Sequence, residues 1–238
     1  MQALTGNNGT RSLASGYCFS KCGEFAFEAA FAVAMVSMTD ADLLLIGVAY
    51  FFRYLPSMVF SPLGGWLADN ADKRRTLFVV EAGKGLLALA FFASFSVYTP
   101  ILPVVVGLAM VMTALECLYV PSFRAYFPEL VEKNKLASVN SGVQVIEDAA
   151  SIIGPLAFSA CVVLLSREAT FLFFSLCLVL SALSIATLKP VRQGERQAFD
   201  GGAMVRDAAR SVSLLRNSNA PLLSVSYTHL RAHETGRN

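Results

Sequence analysis

Apolar residues fill six long runs within the first 188 residues of the chain, and short polar segments separate them. Each run is long enough for a helix to cross a hydrocarbon core of about 30 Å. The pattern therefore predicts an all-α integral membrane bundle of six helices. The predicted spans are residues 14–37, 43–64, 76–97, 101–123, 139–165 and 169–188.

Lysine and arginine residues outside these spans lie almost entirely on one side of the predicted bundle. The three loops at 38–42, 98–100 and 166–168 contain one such residue, Arg167. The alternate side holds Arg11, Lys73, Arg74, Arg75, Arg124, Lys133, Lys135, Lys189, Arg192, Arg196, Arg206, Arg210 and Arg216. Because cytoplasmic loops are enriched in these cations, we predict a multi-pass protein of the cell membrane with a cytoplasmic N-terminus.

The composition agrees with a protein whose main partner is the lipid bilayer. Hydrophobic residues make up 55% of the chain and charged residues 15%, against about 25% charged in soluble domains. A net charge of +2 is too small to suggest a nucleic-acid partner. The sequence predicts neither a metal site nor a cofactor, because both histidines follow residue 226 and no second cysteine pair accompanies the first. The cysteines are Cys18, Cys22, Cys117, Cys161 and Cys177.

The sequence after the sixth span changes character twice. Residues 189–220 are rich in arginine and predict a cytoplasmic linker that contains an amphipathic helix. Residues 221–225 resemble the first turn of a seventh span, whereas residues 226–238 are too polar to continue it. We interpret 226–238 as a non-native tail, with a genuine polar C-terminus as the alternative. Residues 1–188 then form the six-helix half.

Ionisable residues occur inside five of the predicted spans, where a charge is costly unless it is paired or hydrated. Seven of these residues lie near the middle of a span or, like Glu116, in its cytoplasmic half. They are Lys21, Glu24, Glu28, Arg53, Glu116, Glu147 and Asp148. One interpretation is structural ion pairing, with Arg53 bound to Glu24 or to Glu28. The other is a polar cavity in which a carboxylate takes up and releases a proton during transport.

A further acid–base pair, Glu81 and Lys84, lies in the third span. The two residues are three positions apart and can pair on one helix face. Their position near the cytoplasmic end would let the Lys84 ammonium extend to the membrane surface. We therefore interpret this pair as structural.

Several motifs resemble those of the major facilitator superfamily. The paired glycines Gly64-Gly65, followed by Asp69 and the cations Lys73, Arg74 and Arg75, resemble its signature loop between the second and third helices. Gly154-Pro155 is similar to its antiporter motif, and 20–24, 52–56 and 121–140 resemble further stretches. The similarity covers about residues 10–225 and is greatest to drug and siderophore exporters of the proton-antiport type.

The resemblance implies half of a twelve-helix fold, built from two inverted three-helix repeats. A second, C-terminal half would complete a central site that opens alternately to each side. By the same resemblance, Gly65, Asp69 and the three following cations would form a latch that holds one conformation. We also expect the helix before this loop to end at Gly64-Gly65.

The leading hypothesis is a secondary transporter, not an enzyme, that uses a proton gradient to export small amphipathic compounds. An importer or a lysophospholipid flippase of the same fold is the nearest alternative. A membrane-embedded enzyme is disfavoured because no histidine or serine–histidine set lies in the spans. A non-transporting scaffold remains the alternative if the C-terminus is genuine.

Overall fold

The computed structural model describes residues 8–97, 100–131 and 133–188, and the regular secondary structure in this part of the chain is entirely helical. The predictions for residues 189–238 lie outside the described residues. A single 3-10 turn, Lys133–Lys135, precedes the fifth helix. The six long helices are α1 (Asn8–Met38), α2 (Leu43–Asn70), α3 (Lys73–Val97), α4 (Leu102–Leu130), α5 (Leu136–Leu164) and α6 (Ala169–Ala186).

Five of the helices, α2 to α6, are long and apolar enough to cross a membrane. The first helix, α1, is as long as the others but carries Lys21, Glu24 and Glu28 near its middle. These charges lower its hydropathy, so its place in the bundle depends on partners for them. The predicted all-α fold is confirmed.

The prediction that α2 ends at Gly64-Gly65 is wrong. The helix continues to Asn70, and the chain turns only at Ala71 and Asp72. The reason for a glycine at position 64 is packing, because a Cβ there would meet the Cys117 carbonyl oxygen of α4. Gly64 thus allows α2 and α4 to approach closely instead of terminating the helix.

The pattern of packing contacts between the six helices has an internal symmetry. Helix α2 packs on α4 and α5 packs on α1, while α1 packs on α6 and α4 packs on α3. The remaining major contact joins α3 to α6. Exchanging the first three helices with the last three leaves this pattern unchanged. Such symmetry is expected of a six-helix unit made from two three-helix repeats.

Two separate apolar clusters form the core of the bundle. One contains Phe27, Phe91 and Phe174, whose rings pack with centroids 5.1 Å apart around Phe27. The other contains Tyr17 and Phe123, which stack at 3.9 Å. Along α1, α3 and α4, five charged residues fall between the two clusters, namely Lys21, Glu24, Glu81, Lys84 and Glu116. The bundle therefore encloses a polar layer between two aromatic layers.

Candidate functional site

The polar layer is a network of charged side chains from α1, α3 and α4. The Lys21 ammonium donates to Glu24 at 2.7 Å and to Glu116 at 2.9 Å. The Lys84 ammonium donates to the other oxygen of Glu116 at 2.8 Å and lies 3.5 Å from Glu81. Each oxygen of Glu116 thus accepts from a different lysine, and this carboxylate joins the three helices.

Helical spacing brings these groups together. Lys21 and Glu24 are three residues apart on α1, and Glu81 and Lys84 are three apart on α3, so each pair shares a face. The two faces point toward each other, since the Ser20 hydroxyl donates to Glu81 at 2.8 Å. The interhelical contacts hold α1, α3 and α4 together at the level of the polar layer.

The location inferred for Lys84 is wrong. Its side chain is 1% exposed and that of Glu81 is 0% exposed, so Lys84 does not extend to the membrane surface. Both residues belong to the network, although their spacing alone predicted only a local structural role. The signal that could have indicated this is the recurrence of the same acid–base spacing on α1 and α3.

Arg53 of α2 forms a second charged group beside the network. Its guanidinium donates to both oxygens of Glu28, through Nη1 at 2.8 Å and through Nη2. Aromatic rings surround the cation, the nearest being Phe31 at 4.4 Å and Tyr54 at 5.2 Å. The sequence suggested Glu24 or Glu28 as the partner of Arg53. In the structure Arg53 binds Glu28, and Glu24 binds Lys21 instead.

A cavity of about 100 Å³ joins the network to the Arg53 pair. The Glu24 and Glu28 side chains retain 25% and 33% exposure and both line it. Aromatic and aliphatic side chains make up much of the remaining wall. The lining consists of Glu24, Phe27, Glu28, Arg53, Tyr54, Lys84, Met112, Thr113, Glu116 and Phe174.

The two acidic residues of α5 lie elsewhere. Glu147 accepts a hydrogen bond from the Tyr17 hydroxyl of α1. Asp148 is exposed and accepts from Gln144 at 2.9 Å. Neither residue lines the cavity. Glu147 therefore connects α5 to α1, whereas Asp148 contacts its own helix.

At Gly154 the same two helices come very close together. A Cβ on this glycine would meet Phe25 and would lie 2.8 Å from the Ala26 backbone nitrogen. Pro155 follows inside α5, which continues to Leu164. By contrast, a Cβ on Gly65 meets no atom within 4 Å among the described residues. Packing explains a glycine at position 154 but not at position 65.

The cations between α2 and α3 differ in their contacts. Lys73 pairs with Glu129 of α4 at 2.8 Å, and Arg74 donates to the Ala186 carbonyl of α6 at 2.5 Å. Arg75 and Asp69 are exposed. Two of the three cations predicted to form a latch thus connect α3 to neighbouring helices of the same bundle.

When all its groups are ionised, the network has an excess of negative charge, and it offers no obvious place for a metal ion. It contains three carboxylates (Glu24, Glu81 and Glu116) and two ammonium groups, so one added proton would balance it. In the described part of the chain, no group of three or more histidine, cysteine or acidic side chains is arranged to hold a metal.

Comparison with known proteins gives one match. The model of the Major Facilitator Superfamily matches residues 13–230, most of the chain. No curated protein and no solved structure matches the sequence. With its six-helix architecture and its membrane-spanning helices, the chain belongs to the Major Facilitator Superfamily of membrane transporters.

Proposed function

We propose that the chain forms the N-terminal half of a secondary transporter that exports small amphipathic compounds in exchange for protons. The observation that carries this proposal is the polar layer, with one more carboxylate than ammonium groups, beside a cavity inside a membrane bundle. Such a buried imbalance is costly unless a proton neutralises one of the carboxylates, and a carboxylate that binds and releases a proton is what coupled transport uses. Family membership supports transport as the activity.

The walls of the cavity support an amphipathic substrate. Phe27, Tyr54 and Phe174 offer aromatic surface, while Glu24 and Glu28 keep part of their carboxylates open to the cavity. A cation with an apolar body would contact both kinds of group. A bound cation would then compete with a proton for the negative charge of the polar layer, which is the exchange that antiport requires.

Transport by alternating access requires a second half opposite the cavity. Only 11% of the most apolar stretch of α2, and likewise of α5, is buried. These two helices therefore have apolar surface available for a second six-helix half and for lipid. On this proposal Asp69 and Arg75 contact that half at the cytoplasmic side, the side that the excess of cations favours for the N-terminus.

The test is solute flux in vesicles that contain the full-length transporter. An imposed pH gradient should drive accumulation of ethidium, a cationic amphipathic dye. Glu24→Gln should remove the gradient-driven flux and retain dye exchange at equal pH, because the side chain keeps its shape but cannot ionise. Asp148→Asn serves as the matched control, since Asp148 lies away from the cavity.

Two results would contradict the proposal. Gradient-driven flux that is unchanged in Glu24→Gln removes this carboxylate from coupling. Dye movement in the same direction as protons would replace export by import. A fluorescent lysophospholipid tested in the same vesicles distinguishes a flippase from an exporter of soluble amphiphiles.

A further inference from the structure

The most enclosed member of the polar layer is Glu81, a residue that the proposed coupling mechanism does not use. Its side chain is fully buried, and its Oε1 accepts from the Ser20 hydroxyl at 2.8 Å. Within the described residues, Glu81 Oε2 and the buried Tyr119 hydroxyl have no hydrogen-bond partner. The Tyr119 ring lies 4.4 Å from the Lys84 ammonium.

The three carboxylates of the layer differ in how closely a cation approaches them. Glu24 and Glu116 accept hydrogen bonds from ammonium groups at 2.7 to 2.9 Å. Glu81 has Lys84 at 3.5 Å, which is too long for a good hydrogen bond. An ionised carboxylate that is fully buried, with one oxygen unpartnered, is strongly disfavoured relative to the neutral acid.

The layer as a whole also needs a proton. Glu81 faces Ser20 of α1, Lys84 of its own helix, and Glu116 and Tyr119 of α4. Helix α6, which packs on α3, carries no charged residue. With every group ionised, the layer has one negative charge in excess. A single proton on the carboxylate with the weakest cation contact removes that excess.

We propose that Glu81 holds the proton of the polar layer in this conformation, and that Lys84 controls its release by moving between Glu116 and Glu81. When the proton binds, an O–H bond of a hydronium ion in the cavity breaks and leaves water, the proton passes by way of Glu116, and one O–H bond forms on Glu81. Lys84 then pairs with Glu116, as observed. When the O–H bond breaks, the proton returns to the cavity by way of Glu116 and Lys84 moves toward the new carboxylate.

Ser20 can hydrogen-bond to Glu81 both when that residue is ionised and when it is protonated. A serine hydroxyl can donate to a carboxylate and can equally accept from a carboxylic acid. The contact at 2.8 Å can therefore persist while Glu81 gains or loses the proton. The inference deepens the proposed function, on which its role in transport rests, by naming the group that holds the coupled proton.

The first test measures the carboxylic acid directly. The purified chain in lipid vesicles is examined by infrared spectroscopy between acidic and alkaline pH, following the C=O stretch of protonated carboxyl groups. This band should be present at neutral pH in the wild type and in the control Asp148→Asn. It should be lost in Glu81→Gln. A band that survives in Glu81→Gln overturns the proposal.

A second variant keeps the proposal falsifiable if Glu81→Gln does not fold. Ser20→Ala removes the hydroxyl next to the acid but leaves Glu81 in place. The C=O band should move to higher frequency, as expected for an acid with fewer hydrogen bonds. An unchanged frequency would mean that the protonated group lies elsewhere in the chain.

The test of Glu81 and the test of the proposed export function can succeed or fail independently. If the full-length transporter moves no dye in any pH gradient, the export proposal fails while the infrared result still identifies the proton site. If flux is proton-driven and remains so in Glu81→Gln, then Glu81 does not hold the coupled proton and the export proposal stands.

Discussion

Arg53 of α2 binds both carboxylate oxygens of Glu28 on α1, and this pair is the main polar connection between two helices that otherwise touch little. Arg53 is 3% exposed, and its guanidinium lies among aromatic rings. Its planar fork suits both the bidentate contact and the stacking, which a lysine ammonium could not reproduce.

We expect Arg53→Met to destabilise the bundle by about 3 kcal/mol, because the Glu28 charge would stay behind without its partner. The double variant Arg53→Met/Glu28→Met should recover most of that loss, since no unpaired charge remains. Unfolding midpoints in a mixed detergent series measure both effects. Additive losses in the double variant would show that the two side chains do not act as a pair.

The glycines give a matched pair of substitutions. Gly154→Ala should cost about 1–3 kcal/mol, because the new methyl group meets Phe25 and the Ala26 backbone. Gly65→Ala should be neutral or stabilising by about 0.5–1 kcal/mol, since alanine favours helix and the space is open. Thermal denaturation of both variants distinguishes packing from helix propensity. Equal losses at the two positions would contradict the close approach of α1 and α5.

The turn between α1 and α2 contains an alanine in a left-handed conformation, Ala41 with φ of 62°. A side chain there costs roughly 1–2 kcal/mol relative to glycine. Ala41→Gly should therefore raise stability by about 1 kcal/mol, whereas the same change at the exposed helical Ala149 should lower it by a similar amount. The thermal midpoints of the two variants should move in opposite directions.

The orientation predicted from the charges can be tested with single cysteines in a variant that lacks the native ones. Arg167→Cys, in the loop between α5 and α6, should react with a membrane-impermeant maleimide added to intact cells. Arg75→Cys, at the start of α3, should react only after the cells are permeabilised. The reverse pattern would place the N-terminus outside.

The pattern of apolar runs was sufficient to predict six helices, because runs of this length match the thickness of a bilayer and exceed most buried helices of soluble domains. It placed the end of α2 six residues early, since Gly64 in the sequence does not reveal the Cys117 carbonyl that it packs against. The choice between Glu24 and Glu28 as partner of Arg53 depended on how α2 is rotated. The burial of Lys84 depended on the position of Glu116 on another helix. Such facts arise only from tertiary packing.

The unusual polarity of α1 has a consequence for biosynthesis. Lys21, Glu24 and Glu28 each disfavour insertion, by about 2.5–3.5 kcal/mol for a charge at the helix centre, in a helix that enters the bilayer alone. The interhelical partners of Lys21 and Glu28, which are Glu116 and Arg53, belong to helices that the ribosome makes later. We therefore expect the first helix to stay loosely held at the translocon until the fourth has been synthesised, so that insertion of this protein is a cooperative event and not a sequence of independent ones.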